Sequence, residues 1–271
     1  MLHLPQDLPG TRRISGLPGP LAKPILSKMP HTTGIALTAA AASAVALGGT
    51  LAYAALHPES QLFGRTLIAG SDPAEIALTY DDGPNNGATL QLLDVLARHN
   101  VRSTFFMIGR FIRQRPEIAR AVHAAGHLVG NHTMTHPWLA WQSNRVIRDE
   151  LRGCNQALED TLGAPVLYVR PPHGARRPAV MRAARELGLT TVQWNVMGND
   201  WAPIGPDRVL QKIQRGIEAT RERGRGANIL LHDGYDQRMG ADRSATVQAT
   251  DRLLTEQLAS GSRFVTVDAW G

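Results

Sequence analysis

The sequence has little cysteine, few aromatic residues and no dense run of one charge, and each shortage excludes a class of protein. A single cysteine, Cys154, allows no intramolecular disulfide and no CxxC motif for zinc or redox chemistry. Lys and Arg number 29 against 23 Asp and Glu, a formal net charge of +6, and the aromatic residues make up only 5%. No basic run is interleaved with aromatics, so a nucleic-acid-binding surface is not indicated. With 43% hydrophobic residues, the 271-residue chain is also unlike a disordered protein and is expected to bury a core.

Charge is absent from residues 32–56, a run of 25 residues that follows a Pro- and Gly-rich basic segment. That length is enough to cross a bilayer, which takes about 20 apolar residues. The sequence Ala52-Tyr53-Ala54 has the small-x-small pattern of a signal-peptidase site. We therefore expect residues 1–61 to be a basic region with a signal or anchor segment. The rest of the chain is then exported, either membrane-anchored or secreted after cleavage near Ala54. A buried Ala-rich helix of the folded domain is the alternative.

From residue 75 onwards, short β-rich runs alternate with stretches of helical apolar spacing. The predicted strands are 75–80, 102–108, 127–130, 166–169, 190–196, 228–231 and 264–267. The predicted helices are 88–98, 110–125, 144–162, 179–187, 206–219 and 244–260. This alternation predicts an α/β fold with a mostly parallel sheet covered by helices. About seven units favour a barrel over an open sheet, although periodicity alone does not separate the two.

Five polar clusters each follow a different predicted strand. They lie at residues 79–84, 131–136, 170–174, 199–201 and 230–233. The carboxyl ends of parallel strands in a barrel meet at one face, where reactive groups are found. Taken singly, each cluster has a structural explanation: Asp81-Asp82-Gly83-Pro84 is typical of a turn, and His132 and His136 could both be solvated. Their joint occurrence at five strand ends indicates one site.

The residue types in these clusters support one coherent chemistry. Two histidines one helical turn apart and a carboxylate supply nitrogen and oxygen ligands that suit zinc or a similar divalent ion. A metal ion with open positions lowers the pKa of bound water and polarises a carbonyl oxygen. A second carboxylate could take the water's proton, and a further histidine could protonate a leaving nitrogen. An arginine that orients the carboxylate and an aspartate that raises the basicity of the histidine complete the set. The clusters therefore predict hydrolysis of an amide or an ester.

In this order, the five clusters resemble the polysaccharide deacetylases of the NodB-homology type, carbohydrate esterase family 4, over about residues 75–268. The resemblance implies a distorted (β/α) barrel, placed at residues 62–271, that removes N-acetyl groups from amino-sugar polymers such as peptidoglycan or chitin. It implies that Asp82, His132 and His136 hold a divalent metal ion. Zn²⁺ is the first choice for that ion, with Co²⁺ or another divalent ion as the alternative.

The resemblance also implies roles for four further residues. Asp81 corresponds to the base that activates water, and His232 to the general acid. Arg170 matches the residue that holds the base, and Asp200 matches the residue that tunes the acid. All the metal ligands, the base and the acid are present, so the resemblance favours an active enzyme.

A substrate pocket is implied in the same way. Trp201 and Leu230 match the apolar pocket for the acetyl methyl group, and the backbone N–H of His173 matches one that stabilises the oxyanion. Three positions depart from the family pattern: His173 replaces the usual Tyr, Tyr80 stands where Phe is more frequent, and Asn195 stands where a carboxylate is common. If only the backbone N–H of His173 acts in catalysis, the change leaves catalysis intact but alters polymer contacts and the pH profile.

Two alternatives to an N-deacetylase fit the same residues. One is an esterase that removes O-acetyl groups, and the other, from outside the enzymes, is a catalytically inactive glycan-binding barrel. All three predict a glycan as the partner, with neither nucleic acid nor a protein partner. Contact with a membrane is expected only through residues 32–56, if that segment is retained.

Overall fold

The computed structural model describes residues 31–271, with side chains from residue 43 onwards. The predicted basic region up to residue 30 and the side chains at the start of the apolar run lie outside the described residues. The first helix, α1, spans His31–Leu56. Within the described range, no helix combines the length and hydropathy needed to cross a bilayer. All further elements belong to one compact unit, Leu47–Gly271.

Eight parallel strands form one sheet in the described part of the chain. They are β1 (Glu75–Gly83), β2 (Thr104–Met107), β3 (Leu128–Asn131), β4 (Tyr168–Val169), β5 (Thr190–Thr191), β6 (Val196–Met197), β7 (Ala227–His232) and β8 (Arg263–Phe264). Seven lie in the order β5-β4-β3-β2-β1-β7-β6, and β8 pairs with the beginning of β1. β1 therefore stands inside the sheet, and every residue of it after Glu75 is buried.

The sheet curls so that one short segment of the chain supplies both ends of this strand order. β5 pairs with β4, and β6, only a few residues later, pairs with β7. Between them, the Gln193 N–H donates to the carbonyl of Leu67 at 2.8 Å, and the Asn195 N–H donates to that of Asn228 at 3.3 Å. The predicted α/β fold, a distorted (β/α) barrel of about seven parallel strands, is confirmed in this curled form. The single strand predicted over 190–196 is wrong, because the segment changes partner midway.

Seven helices follow α1 in chain order. They are α2 (Ala88–Arg98), α3 (Gly109–Gln114), α4 (Pro116–Ala124), α5 (Asn144–Leu162), α6 (Pro178–Glu186), α7 (Pro206–Glu222) and α8 (Ser244–Ala259). The single helix predicted over 110–125 is therefore divided. Pro116 has no N–H to donate and disfavours helical geometry at Arg115, whose φ of −137° and ψ of 62° end α3.

The core joins the inner strands to the apolar faces of the helices. Ile76 and Leu78 of β1 belong to the same buried cluster as Leu92 and Leu96 of α2. Each such side chain contributes about 1.5–3 kcal/mol on full burial. Tyr80 lies in this cluster too, and its hydroxyl shares a hydrogen bond of 3.1 Å with Thr250 Oγ1. The hydroxyl of Tyr80 thus has a polar partner inside the core.

Candidate active site

The five polar clusters meet at the carboxyl ends of the strands, as predicted. A cavity of about 500 Å³ opens there. Eight of the ten predicted site residues line it: Asp81, Asp82, His132, His136, His173, Trp201, Leu230 and His232. The other two, Arg170 and Asp200, are buried behind the wall, where each contacts one of the lining residues. The sheet thus brings together side chains that are far apart in sequence. Asp81 and His232 are 151 residues apart, yet they are paired in register between β1 and β7.

The predicted metal ligands Asp82, His132 and His136 are all buried and form a compact set. Their ligand atoms lie within 4.8 Å of one another. Asp82 Oδ1 is 3.2 Å from His136 Nε2 and 3.5 Å from His132 Nε2, yet it has no hydrogen-bond partner. A buried carboxylate oxygen that faces two imidazole nitrogens without a hydrogen bond fits a cation between the three groups. The set therefore supports a divalent metal ion.

The protonation states of two of these ligands, Asp82 and His136, also suit a metal, whereas for His132 burial lowers the pKa but Asp81 and Asp82 outweigh it and raise that pKa. Burial favours the neutral form of Asp82, but His132, His232 and His136 outweigh it and place the pKa of Asp82 well below its usual value. Burial, with His132 beside it, lowers the pKa of His136 to about 3. A metal-binding site needs an ionised carboxylate and a neutral imidazole, and these two residues are in those states at neutral pH.

Asp81 is fixed by Arg170, which is fully buried. Arg170 Nη1 donates to Asp81 Oδ1 at 2.8 Å and to Thr79 Oγ1 at 2.7 Å. The guanidinium also lies over the ring of Phe106, 4.3 Å from its centroid. The other carboxylate oxygen, Asp81 Oδ2, lies 3.7 Å from His132 Nε2 and so borders the ligand set. One oxygen of Asp81 is thus held, while the other faces the place where a metal would lie.

His232 and Asp200 form a second charged pair on another side of the cavity. The Nδ1–H of His232 donates to Asp200 Oδ1 at 2.8 Å. Asp200 Oδ2 accepts from the backbone N–H of His232 at 2.8 Å and from Thr246 Oγ1 at 2.7 Å. Burial lowers the pKa of His232, but Asp200, with help from Asp82 and Asp81, raises it to about 9. The imidazole is therefore protonated at neutral pH and can act as an acid.

The backbone at the site adopts conformations that non-glycine residues rarely take. Six non-glycine residues in the described part of the chain have positive φ, and five of them lie in the polar clusters. They are Asp82 (73°), Thr133 (66°), His136 (65°), His173 (57°) and Asn199 (55°). Each such residue costs about 1–3 kcal/mol and persists only where the surroundings fix it. This concentration is an independent sign that the clusters serve a function.

Two glycines allow the strand ends to approach closely. A Cβ on Gly83 would collide with the carboxylate of Asp233, and a Cβ on Gly234 would collide with the backbone carbonyl of Asp82. The Gly in Asp81-Asp82-Gly83-Pro84 is therefore required by packing. It lets β1 and the segment after β7 lie against each other behind the ligand set.

Aromatic rings line the predicted pocket and pack against the residues that line it. The ring of His173 stacks on that of Trp138, with centroids 3.9 Å apart, and its edge meets His136 at 4.8 Å. Trp201, about half exposed, lies edge-on to His232 with 5.6 Å between the centroids. Trp138 follows His136, the second predicted histidine ligand, by two residues, so its position in the sequence is the signal that points to it.

Another wall has no signal in the sequence. Leu56 and Pro58, at the end of α1 and just after it, line the cavity. Arg176 holds this segment: its Nη2 donates to the carbonyl of His57 at 2.8 Å and to that of Ser60 at 2.6 Å. The backbone N–H of Arg176 also donates to the carbonyl of Ala55 at 3.0 Å. Leu56 and Pro58 thus contribute to the pocket from a position N-terminal to residue 62.

Fold and site together define a hydrolase built on a curled parallel sheet, with a buried Asp-His-His set that suits a divalent metal ion. Residues 69–192 match the family described as polysaccharide deacetylase. A chitooligosaccharide deacetylase of Bradyrhizobium sp. (strain ANU 289) is 38% identical over 191 residues, 70% of this chain and 83% of that protein. The chain belongs to the polysaccharide deacetylase family, as its five clusters predict.

Solved structures agree with this assignment. The Bc1960 peptidoglycan N-acetylglucosamine deacetylase, in complex with 4-naphthalen-1-yl-N-oxidanyl-benzamide, is similar with a TM-score of 0.68 and 29% identity. The match covers 75% of this chain and 91% of that one. A mutant of BA3943, described as a CE4 family pseudoenzyme with restored enzymatic activity, gives a TM-score of 0.64 and 28% identity over 79% of this chain and 68% of that one. Since similar chains include a pseudoenzyme, the residues of the site matter for activity as much as the fold.

Proposed function

We propose that this protein is a divalent-metal-dependent hydrolase that removes N-acetyl groups from an amino-sugar polymer of the peptidoglycan or chitin type. The observation that carries the proposal is the division of labour between two adjacent carboxylates. Asp82 faces His132 and His136, whereas Asp81 is held by Arg170. One carboxylate is thus available to bind a metal and its neighbour to accept a proton.

The metal ion, held by Asp82, His132 and His136, would lower the pKa of a bound water and polarise the acetyl carbonyl. Zn²⁺ is proposed because two imidazole nitrogens and one carboxylate oxygen are a common zinc ligand set that leaves a position open. Asp81 accepts a proton from the attacking water at Oδ2, since Oδ1 is engaged by Arg170. The rigid contact with Arg170 removes the need to orient the base during the reaction.

His232 completes the proton transfers. Its Nδ1–H is committed to Asp200, so Nε2 is the nitrogen that delivers a proton to the leaving amine. The scissile C–N bond breaks as this proton arrives, and the products are acetate and a free amino group on the sugar. The backbone N–H of His173 is proposed to donate to the oxyanion, and Trp201 and Leu230 to enclose the acetyl methyl group.

Removal of an O-acetyl group is the second candidate, and the His232–Asp200 pair argues for the N-acetyl substrate. An amine is a poor leaving group unless it is protonated, and a histidine whose pKa is raised to about 9 is available as its acid. An alkoxide depends less on this proton. A catalytically inactive glycan-binding barrel is disfavoured because both carboxylates, both histidine ligands and the His232–Asp200 pair are in place.

The site of action is proposed to be outside the cytoplasmic membrane, on the basis of the apolar run at residues 32–56. The run is either a retained anchor or a signal that is cleaved near Ala54.

The test is acetate release by the full chain, chelated and then supplied with Zn²⁺, from N-acetylated and O-acetylated polymers in parallel. We expect Zn²⁺-dependent release from the N-acetylated polymer. Release from the O-acetylated polymer alone would replace the proposal with the esterase. Glycan binding without release from either polymer by the Zn²⁺-loaded protein would replace it with the binding protein.

A further inference from the structure

The two histidines of the ligand set differ in how their second ring nitrogen is held. For His132, the Nδ1–H donates to the backbone carbonyl of Arg170 at 2.7 Å, which leaves Nε2 to face Asp82. For His136, Nε2 also faces Asp82, at 3.2 Å, but Nδ1 is buried without a hydrogen-bond partner. A metal-bound imidazole almost always donates its other N–H to a carboxylate, a carbonyl or water.

A carboxylate lies next to this unpartnered nitrogen. Asp236 Oδ2 is 3.5 Å from His136 Nδ1, and Asp236 lines the same cavity. The side chain of Asp236 is 29% exposed, and the separation exceeds the length of a charge-assisted hydrogen bond, about 2.8 Å, by less than about 1 Å. The ring of His136 is itself confined, with the ring of His132 at 4.9 Å and that of His173 at 4.8 Å.

The segment that carries Asp236 is anchored on both sides of it. Arg243 Nε donates to the carbonyl of Gly234 at 2.7 Å. Asn85 Nδ2 donates to the carbonyls of Asp233 and Ala241, at 2.9 Å in each case. The Asn85 bonds tie the segment after β7 to the loop after β1, the strand that ends with the Asp81-Asp82 pair and Gly83. The carboxylate of Asp236 is thus kept beside the ligand set by backbone contacts.

We propose that Asp236 is the positioning residue of His136: it accepts the Nδ1–H, fixes the tautomer with Nε2 free for the metal, and makes Nε2 a stronger ligand. The inference rests on the metal site of the proposed function. It assigns to the site a residue that lies outside all five clusters, and it predicts an effect on metal affinity separate from any effect on the chemical step.

The test is the Zn²⁺ dissociation constant of the full chain, measured by competition with a chromophoric chelator, for wild type, Asp236→Asn, Asp236→Glu and Asp242→Asn. Asp242→Asn is the matched control, because it removes the same charge from the same loop. Its Oδ1 accepts from the Ser244 N–H at 2.8 Å, a bond that asparagine keeps. We expect Asp236→Asn to weaken Zn²⁺ binding about 10- to 100-fold. Asp236→Glu should recover part of the loss, and Asp242→Asn should stay within about twofold of wild type.

Thermal unfolding of the chelated proteins separates positioning from folding, and we expect the midpoints of Asp236→Asn and wild type to coincide. Zn²⁺ affinity within twofold of wild type in Asp236→Asn, or an equal loss in Asp242→Asn, would overturn the inference. Wild type that binds Zn²⁺ but releases no acetate contradicts the proposed function alone, because the affinity comparison still tests Asp236. Wild type that binds no Zn²⁺ at all contradicts both.

Discussion

The pairing of His232 with Asp200 makes a quantitative prediction for the Asp200→Asn variant. The pKa of His232 is about 9, against an ordinary value of 6.5, although burial alone would lower it. The cause is the buried carboxylate of Asp200 at 2.8 Å from Nδ1. Loss of an opposite charge at this distance lowers a pKa by about 1–3 units, or about 1–4 kcal/mol. We expect the alkaline limb of the kcat–pH profile to move to lower pH by that amount.

The asparagine also changes which nitrogen of His232 carries the proton. The backbone N–H of His232 and the hydroxyl of Thr246 both donate to the Oδ2 position, so the amide oxygen of asparagine is held there. The amide NH₂ then faces Nδ1 and donates to it. This arrangement stabilises the neutral ring with its proton on Nε2 and disfavours the imidazolium. At pH 8, a pKa lowered from about 9 to about 7 reduces the protonated fraction, and kcat with it, roughly tenfold.

The assay is the kcat–pH profile with saturating Zn²⁺ and substrate, for wild type, Asp200→Asn and Thr246→Val. Thr246→Val is the control, since it removes one hydrogen bond to Asp200 but keeps the charge. An alkaline limb that stays within about 0.3 pH units of wild type in Asp200→Asn would refute the reasoning.

The pH dependence of stability gives a second readout. The folded pKa of His232 exceeds 6.5, so its contribution to the unfolding free energy is complete below pH 6.5 and is lost as pH rises through about 9. Asp200→Asn should lack this loss.

Three further predictions follow from other contacts. Arg170→Met should lower kcat about 100-fold or more with little change in metal content, because Asp81 loses the guanidinium that orients it. A kcat equal to that of wild type in steady-state assays would contradict this. His173→Ala should raise KM for the polymer several-fold and keep kcat within about tenfold of wild type, because the backbone N–H remains while the stack on Trp138 is lost. A large loss of kcat with an unchanged KM would instead assign the side chain to the chemical step. Arg176→Met should lower the unfolding free energy by about 3 kcal/mol in denaturant titration, since the carbonyls of His57 and Ser60 lose their donor. A change of less than about 1 kcal/mol would be inconsistent with this.

The sequence predicts well those features that local pattern determines. The bounds of α2 and α5 agree with the predicted 88–98 and 144–162, since each has a strong apolar face. For α5, the cap residues also point to its ends: Ser143 Oγ accepts from the Val146 N–H, and Gly163 has a φ of 67°. That the five polar clusters meet at one face follows from topology alone, because each lies at the carboxyl end of a strand and parallel strands align these ends.

Features set by distant pairing are not visible in the sequence. Residues 190–196 look like one strand in the sequence, and only the curl of the sheet reveals that β5 and β6 lie on opposite edges. The wall formed by Leu56 and Pro58 depends on hydrogen bonds from Arg176, over a hundred residues away in sequence. Asp236 likewise reaches His136 across a separation that no local motif encodes.

The central claim is that Asp81 takes the proton from water in a metal-dependent hydrolysis. The most direct test compares acetate release by Zn²⁺-loaded wild type and Asp81→Asn, with bound zinc measured in the same samples. The account predicts an equal zinc content and a loss of kcat of about 100-fold or more, since asparagine cannot accept the proton. An Asp81→Asn variant that binds zinc and retains full activity would contradict it.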